Sequence, residues 1–414
     1  MTLGINNVIG ADVKGKFVLF RPDVNSPIDE NRKIANRNRL QKTVPTLRYL
    51  MENGAKTAII AHQGDTLDYA NLIPMAEHAK ILGELVGKEI PYVDDVCGDA
   101  AIEKIKSLRC GETVFLGNLR YLTEEVSTFE KDVKLTADEM KSTYLVRRLA
   151  PLFDVYVNDA FSAAHRNCPS MVAFQKLMPS YAGPLFFNEY EALARIRDHA
   201  EKPCVFVLGG AKISDAFGMM NRVLSNGSAT NILACGVTGV VMLLAQGKKV
   251  GATYEKWLAD RDLLAFVPQA KELLALYGDR FVLPIDLAYE RNGERKEIDV
   301  NELPLDDAAF LDIGKQTAKR FCEIISNAKT VFVNGPAGVY ENPIFRYGTE
   351  TVWKAFEQTA AYTVIGGGDT VSAATKLIDI SKINYVCTAG GAMVRFLSGV
   401  TLPLLEAMLN AKKE

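Results

Sequence analysis

A chain of 414 residues, 48% hydrophobic and 24% charged, is long enough for two or three globular domains with sizeable cores. Its formal net charge of −2 excludes the strongly basic footprint of general nucleic-acid binding but leaves room for a local basic cleft. No apolar run reaches the ~20 residues of a membrane span, and the opening "MTLGINNVIGADVKGKF" lacks the charged-then-apolar order of a signal peptide, so a cytoplasmic protein without membrane or nucleic-acid partners is expected.

The first apolar, β-branched run is residues 16–20 ("KFVLF"), followed by 56–61 ("KTAIIA"), 113–117 ("TVFLG") and 154–158 ("DVYVN"). Helical periodicity runs through 38–53 ("NRLQKTVPTLRYLMEN") and 137–152 ("ADEMKSTYLVRRLAPL"). The stretch 180–203 joins Ala-Gly-Pro to a charged helical pattern and reads as a connector. Beyond it, strands are expected at 203–208, 230–235, 329–333, 362–366 and 383–387, with a helix over 349–361. Such alternation predicts an α/β fold of two similar-sized, doubly wound parallel sheets (Rossmann-like) with helices on both faces. Ligands of such sheets bind at the carboxyl ends of the strands. The seven cysteines are scattered and odd in number, with no CxxC, which predicts free thiols rather than disulfides or metal ligands.

The two halves differ in the residues just past their strands. Only 11 of the 31 glycines lie in residues 1–200, where the strands run instead into Arg21, Arg120 and Arg166. The later strands run into "GGAK" (209–212), "CGVTG" (235–239), "NGPAG" (334–338), "GGGDT" (366–370) and "TAGGA" (388–392). A strand–helix loop exposes unpaired amides and the positive end of the helix dipole, and glycine lets a phosphate reach that backbone. One such loop is equally a tight turn; five on one sheet point to a polyphosphate site. Lys212 is either a phosphate cation or a solvated lysine, and Asp369 either a helix cap or a ligand of Mg²⁺ carried on phosphates. In the first half, Asp23 and Asn25 are either turn formers or contacts to a hydroxylated ligand. Arg39 opens a helix, where the dipole disfavours a cation; it is either a surface arginine or, as that conflict hints, a contact to an anionic ligand. His62, either a structural histidine or a ligand contact, and the His165–Arg166 pair stand past two further strands; arginines there suit phosphate and carboxylate. There is no GxxxxGK[ST] loop and no complete GxGxxG, which lowers a P-loop nucleotidase and a dinucleotide dehydrogenase.

Nine ordered stretches resemble the phosphoglycerate kinase family: "RPDVN" (21–25), "RLQKTVPTL" (39–47), "LGNLR" (116–120), "YVNDAFSAAHR" (156–166), "GGAK" (209–212), "DIG" (312–314), "NGPAGVYE" (334–341), "GGGDT" (366–370) and "TAGGA" (388–392). The resemblance implies Mg²⁺-dependent phosphoryl transfer between 1,3-bisphosphoglycerate and ADP, giving 3-phosphoglycerate and ATP in glycolysis and gluconeogenesis. It implies an acid-binding domain over 1–183, a hinge helix over 184–200, a nucleotide-binding domain over 201–397, and a tail, 398–414, packing back on the first domain. Asp23, Asn25, Arg39, His62, Arg120 and Arg166 would bind the acid. Gly209, Gly210, Lys212, Gly236, Asn334, Glu341, Gly367, Gly368, Asp369, Thr370, Gly390 and Gly391 would line the nucleotide side, with Glu341 on the ribose and Asp369 nearest the Mg²⁺. Arg39 and Lys212, with the amides of Gly368, Gly390 and Gly391, are the expected catalytic groups. Closure of the two domains around both ligands is expected to exclude water, and a monomer or homodimer fits the resemblance equally. Three positions depart from the family pattern: Asp65 stands where an arginine is common, Ala216 where a second lysine is common, and Arg395 where a carboxylate is common. Two other readings are kept beside this one, an NAD-dependent dehydrogenase and a non-enzymatic two-domain protein that clamps a small anion.

Overall fold

The computed structural model describes residues 4–65 and 67–412. The chain divides into two compact units, Met1–Tyr190 with Thr401–Glu414, and Glu191–Val400. The division falls inside the helix Pro184–Asp198.

Five strands build the first unit: β1 (Phe17–Pro22), β2 (Lys56–Ala61), β3 (Thr113–Asn118), β4 (Val155–Asp159) and β5 (Ser180–Ala182). They lie in the order β3–β2–β1–β4–β5, and every pairing is parallel. Because helices cover both faces of such a sheet, its strands read as apolar runs rather than alternating ones; β3 is buried at every position. The helix Asn38–Glu52 turns Leu40, Thr43, Leu47, Leu50 and Met51 into the core at spacings of three and four residues. From β1 the chain proceeds to one side, through β2 and β3, and later returns on the other through β4 and β5. The connections leaving β1 and β4 therefore diverge, opening a crevice at their carboxyl ends. The helix Pro403–Leu409 belongs to this unit: the Leu404 amide donates to the Ala164 carbonyl at 3.1 Å and the Lys412 amide to the Gln175 carbonyl at 3.0 Å.

The second unit continues with β6 (Cys204–Leu208), β7 (Asn231–Ala234), β8 (Phe281–Val282), β9 (Asp286–Arg291), β10 (Glu294–Asp299), β11 (Phe310–Ile313), β12 (Thr330–Asn334), β13 (Tyr362–Ile365) and β14 (Tyr385–Val386). Six of these form a parallel sheet in the order β14–β13–β12–β6–β7–β8. Here too the order reverses at adjacent strands, β6 and β12, so the loops after them part. Phe206 and Phe332 meet across this pair with ring centroids 5.3 Å apart, and Trp353 and Phe321 are wholly buried in the helices beside it.

Two elements differ from expectation. The helical pattern over 137–152 breaks into Ala137–Met140, Tyr144–Leu149 and a final 3-10 turn. Thr136 and Glu139 form a capping box on the first piece, and the Glu124 carboxylate takes the Leu145 amide at 3.0 Å, starting a new helix. The second unit also carries an antiparallel sheet, β10–β9–β11, that the apolar runs did not signal. Its hairpin turns through Asn292 (φ 54°) and Gly293 (φ 76°), the left-handed pair a two-residue hairpin requires. The Asn-Gly turn is readable in the sequence; the strand after it, "ERKEID", is too charged to read as one.

Candidate active site

The crevice of the first unit gathers the expected acid-binding residues at the ends of β1, β2, β3 and β4. Asp23, just past β1, receives hydrogen bonds from Arg39 and from Ser162 Oγ on its Oδ2, and from the Asn25 amide on Oδ1 at 3.2 Å. Asn25 Oδ1 in turn takes the Gly64 amide at 3.1 Å, tying the loop after β1 to the loop after β2. Arg120 is buried; its amide donates to Asn118 Oδ1 at 3.0 Å and its Nη1 to the Glu125 carbonyl. Arg166 Nη1 lies 3.6 Å from Glu130 Oε2. Asp65, where an arginine is common, presents its carboxylate 3.6 Å from Arg120 Nη1.

His62 reports how these cations converge. Its pKa is held well below the ordinary imidazole value, first by burial and then by the charges of Arg120, Arg21, Arg39 and Arg166. The ring is therefore neutral. Arg21 Nη2 stands 2.9 Å from His62 Nδ1, and a guanidinium has only donors to offer, so Nδ1 accepts and the single ring proton sits on Nε2. Behind Arg21, Glu125 accepts both the amide and the hydroxyl of Ser170 at 2.6 Å, and Ser170 Oγ accepts from Arg21 Nε at 3.4 Å. Burial raises the Glu125 pKa, while the Ser170 hydrogen bonds oppose that rise. Arg21, Ser162, Glu125 and Ser170 were not among the expected site residues. Arg21 stands at the end of a strand as the others do, so its position was a signal; Glu125, in "YLTEEVS", looks like a surface residue. The expected NMR result is a His62 ring protonated at Nε2, with no titration between about pH 6 and pH 8. Long-range nitrogen-15 correlation spectra across that range would measure it.

In the second unit a cleft of about 530 Å³ lies at the carboxyl ends of the parallel strands. Gly209, Gly210, Lys212, Gly236, Asn334, Glu341, Gly367, Gly368, Asp369, Thr370, Gly390 and Gly391 all line it. The loops after β6 and β12 touch backbone to backbone, with the Gly210 amide on the Pro336 carbonyl at 2.8 Å. A Cβ on Gly209 would collide with that carbonyl, and one on Gly335 with the carbonyl of Gly209, which explains why both positions lack a side chain. Gly367 holds φ 98° just before the helix Gly368–Leu377. Thr370 Oγ1 accepts the Gly335 amide at 2.9 Å and Asn334 Nδ2 donates to the Gly366 carbonyl at 2.8 Å, so these two brace the loops.

Lys212 precedes the helix Ile213–Ser225, and its Nζ pairs with Asp369 Oδ2 at 2.8 Å. Both side chains are more than three-quarters exposed. Among the described residues lining the cleft, Lys212 is the one cation. Ala216 is buried and offers nothing to the cleft, and Arg395 lies outside its lining. Asp312, of the "DIG" stretch, is a structural acid. Burial lifts its pKa to about 6 against the pull of the Gly348 amide and Arg295, which lies 2.8 Å away. The cleft also carries an apolar set, Val237, Val240, Leu287 and Phe310 with the stacked rings of Tyr254 and Trp257.

No group of three or more His, Cys, Asp or Glu converges to hold a metal ion among the described residues. The exposed carboxylate of Asp369 on this cleft nevertheless fits Mg²⁺, which takes one or two carboxylates and completes its shell with phosphate oxygens and water. Nor is any helix of the described residues long and apolar enough to cross a membrane. Of the cysteines, Cys97, Cys168, Cys204, Cys235 and Cys387 are buried, Cys322 is half-buried and Cys110 exposed.

Known proteins resemble this chain along nearly its whole length. A family model described as Phosphoglycerate kinase matches residues 8–400. The phosphoglycerate kinase of Methanothermus fervidus is 39% identical over 97% of this chain and 96% of its own length. That of Thermococcus kodakarensis is 38% identical over 95% of each. The crystal structure of phosphoglycerate kinase from Pyrococcus horikoshii OT3 superposes with a TM-score of 0.88 at 36% identity, covering 98% of both chains. Neither the dehydrogenase nor the non-enzymatic reading finds support in these likenesses. The chain belongs to the phosphoglycerate kinase family.

Proposed function

We propose that the arginine-lined crevice of the first unit holds 3-phosphoglycerate or 1,3-bisphosphoglycerate and the glycine-lined cleft of the second holds ATP or ADP, for the phosphoryl transfer characteristic of this family. The observation that carries the reading is the placement of all twelve expected nucleotide residues on one cleft, at the switch point between β6 and β12. The convergence of Arg21, Arg39, Arg120 and Arg166 on a neutral His62 supports the other half. Arg39, Arg120 and Arg166 bind the acid's anionic groups, Asn25 and Asp23 meet its hydroxyl, and His62 donates from Nε2. On the nucleotide side, the apolar set around Tyr254 and Trp257 receives the base, Glu341 the ribose hydroxyls, and the amides at Gly368, Gly390 and Gly391 the phosphates.

The acceptor carboxylate is already ionised at neutral pH and needs no general base. The barrier comes from bringing anions together and from spreading charge over the transferring oxygens, so position and positive charge do the catalysis. Lys212 supplies that charge from the second unit and Arg39 from the first. Asp369 would hold Mg²⁺ on the nucleotide phosphates, and when bound the ion supplies further positive charge to the phosphate oxygens. The experiment is a coupled assay of ATP and 3-phosphoglycerate with and without Mg²⁺. Mg²⁺-dependent formation of ADP and 1,3-bisphosphoglycerate is expected; hydrolysis of ATP that ignores the acid would overturn the reading.

A further inference from the structure

Behind the acid wall one residue is used twice. The Glu125 carbonyl anchors Arg120 Nη1, and the Glu125 carboxylate reaches Arg21 through Ser170. Glu125, Ser170 and Arg21 are at most 2% exposed, so water does not compete for these bonds. The Ser170 hydroxyl has one proton, and it goes to Glu125 Oε2 at 2.6 Å; the lone pairs that remain face Arg21 Nε at 3.4 Å. The hydroxyl therefore stands between two opposite charges and keeps them apart. The guanidinium then has Nη1 on the Pro22 carbonyl at 2.5 Å and Nη2 on His62 Nδ1 at 2.9 Å. The Ser170 main chain does not depend on this hydroxyl. Its amide donates to Glu125 Oε1 at 2.6 Å, and its carbonyl accepts the Tyr156 hydroxyl at 2.5 Å.

We propose that Glu125 and Ser170 are positioning residues of the acid site: the pair fixes the Arg21 guanidinium, and Arg21 in turn keeps the His62 ring proton on Nε2, the atom offered to the acid. Both act through Arg21 rather than on the ligand. Without the hydroxyl, the guanidinium and the carboxylate close on one another, because a charge-assisted hydrogen bond between them is stronger than either bond to a hydroxyl. His62 Nδ1 then loses its donor, and the two neutral forms of the ring become comparable in population. In the molecules protonated at Nδ1, the acid meets an acceptor where it needs a donor. The effect on the acid rests on the reading that the crevice binds 3-phosphoglycerate; the effect on the ring does not.

The test is Ser170→Ala, which removes the hydroxyl and leaves every backbone bond of the residue in place. Glu125→Gln is the second variant, since its one side-chain carbonyl oxygen replaces the two acceptors that the Ser170 amide and hydroxyl now share. Long-range nitrogen-15 spectra of the ligand-free protein read the His62 ring, and steady-state kinetics read the KM values. Both variants should show a mixture of ring tautomers. The KM for 3-phosphoglycerate should rise about three- to tenfold, the worth of one hydrogen bond, with kcat and the KM for ATP within about twofold. In a His62→Ala background, Ser170→Ala should raise that KM by less than about twofold more, because its effect runs through the ring. A ring that stays wholly protonated at Nε2 in both variants overturns the proposal, whatever the kinetics. So does an undiminished loss in the His62→Ala background, which would make the pair a support of the loop and nothing more. If the unaltered protein fails to bind 3-phosphoglycerate while its ring still follows Ser170, the positioning stands and it is the reading of the crevice that falls.

Discussion

Replacing Lys212 with alanine is expected to lower kcat by about 10²–10³, the effect of removing one preorganised donor worth about 2.7–4 kcal/mol in the transition state. Lys212 stands in the cleft with no other cation among the described lining residues, and Ala216 cannot stand in for it. Its partner secures the charge. Asp369 holds the Lys212 pKa above its ordinary value, first by a hydrogen bond and then by its charge, so the ammonium is retained at any pH at which the enzyme works. At this exposure the pair itself contributes little to stability, since solvent screens it. Its importance lies in the exchange of partners when phosphates arrive. On the proposed reading Lys212 would turn from one anion to another, and Asp369 would be free to hold Mg²⁺ on the nucleotide phosphates. Two roles for the lysine can be separated. If it only neutralises Asp369, then Lys212→Ala combined with Asp369→Asn should regain most of the lost turnover. If it stabilises the transferring group, the double variant should stay at least tenfold below the unaltered enzyme. Steady-state kinetics at saturating ATP and 3-phosphoglycerate decide, and the second outcome is the expected one.

Much of this was legible in the chain because parallel strands buried on both faces leave apolar runs, and every such run noted in the sequence contains a strand. The loops after them hold the site, so glycines and arginines just past a strand marked it. The features that escaped did so for physical reasons. β10 is exposed and charged, so only its Asn-Gly turn betrayed it. The strands β5 and β8, of three and two residues, were not noted in the sequence. The 137–152 segment has helical periodicity throughout, and it is broken by a carboxylate from Glu124, a tertiary contact that no local pattern encodes. The Glu125–Ser170–Arg21 chain behind His62 joins residues 149 positions apart, and only the folded sheet brings them together. Asp65 was visible as a departure, but its partner, Arg120, came only with the structure.

Arg39→Ala should cut turnover by a similar 10²–10³ while leaving the KM for ATP within about twofold. The reason is its address. Arg39 lies in the first unit, at the second residue of the helix Asn38–Glu52, and every nucleotide-lining residue lies in the second. A cation in the first turn opposes the helix dipole at a cost of about 0.3–1 kcal/mol, so the helix itself gains nothing from placing it there. Its side chain is partly exposed and turned to Asp23, which is buried and also held by Ser162. Removing Arg39 therefore relieves the helix but leaves Asp23 facing the acid with one partner fewer. These two consequences for stability oppose each other, and the melting temperature should move little while activity collapses. Arg39→Lys separates charge from geometry: it keeps the cation but loses the planar fork that grips two oxygens at once. Turnover between that of alanine and arginine is expected, with the KM for 3-phosphoglycerate raised in both variants. A fall in ATP affinity equal to the fall in turnover would put Arg39 on the nucleotide instead. A parallel loss of melting temperature would make it a structural residue, and the opposition between helix dipole and guanidinium would then need another explanation.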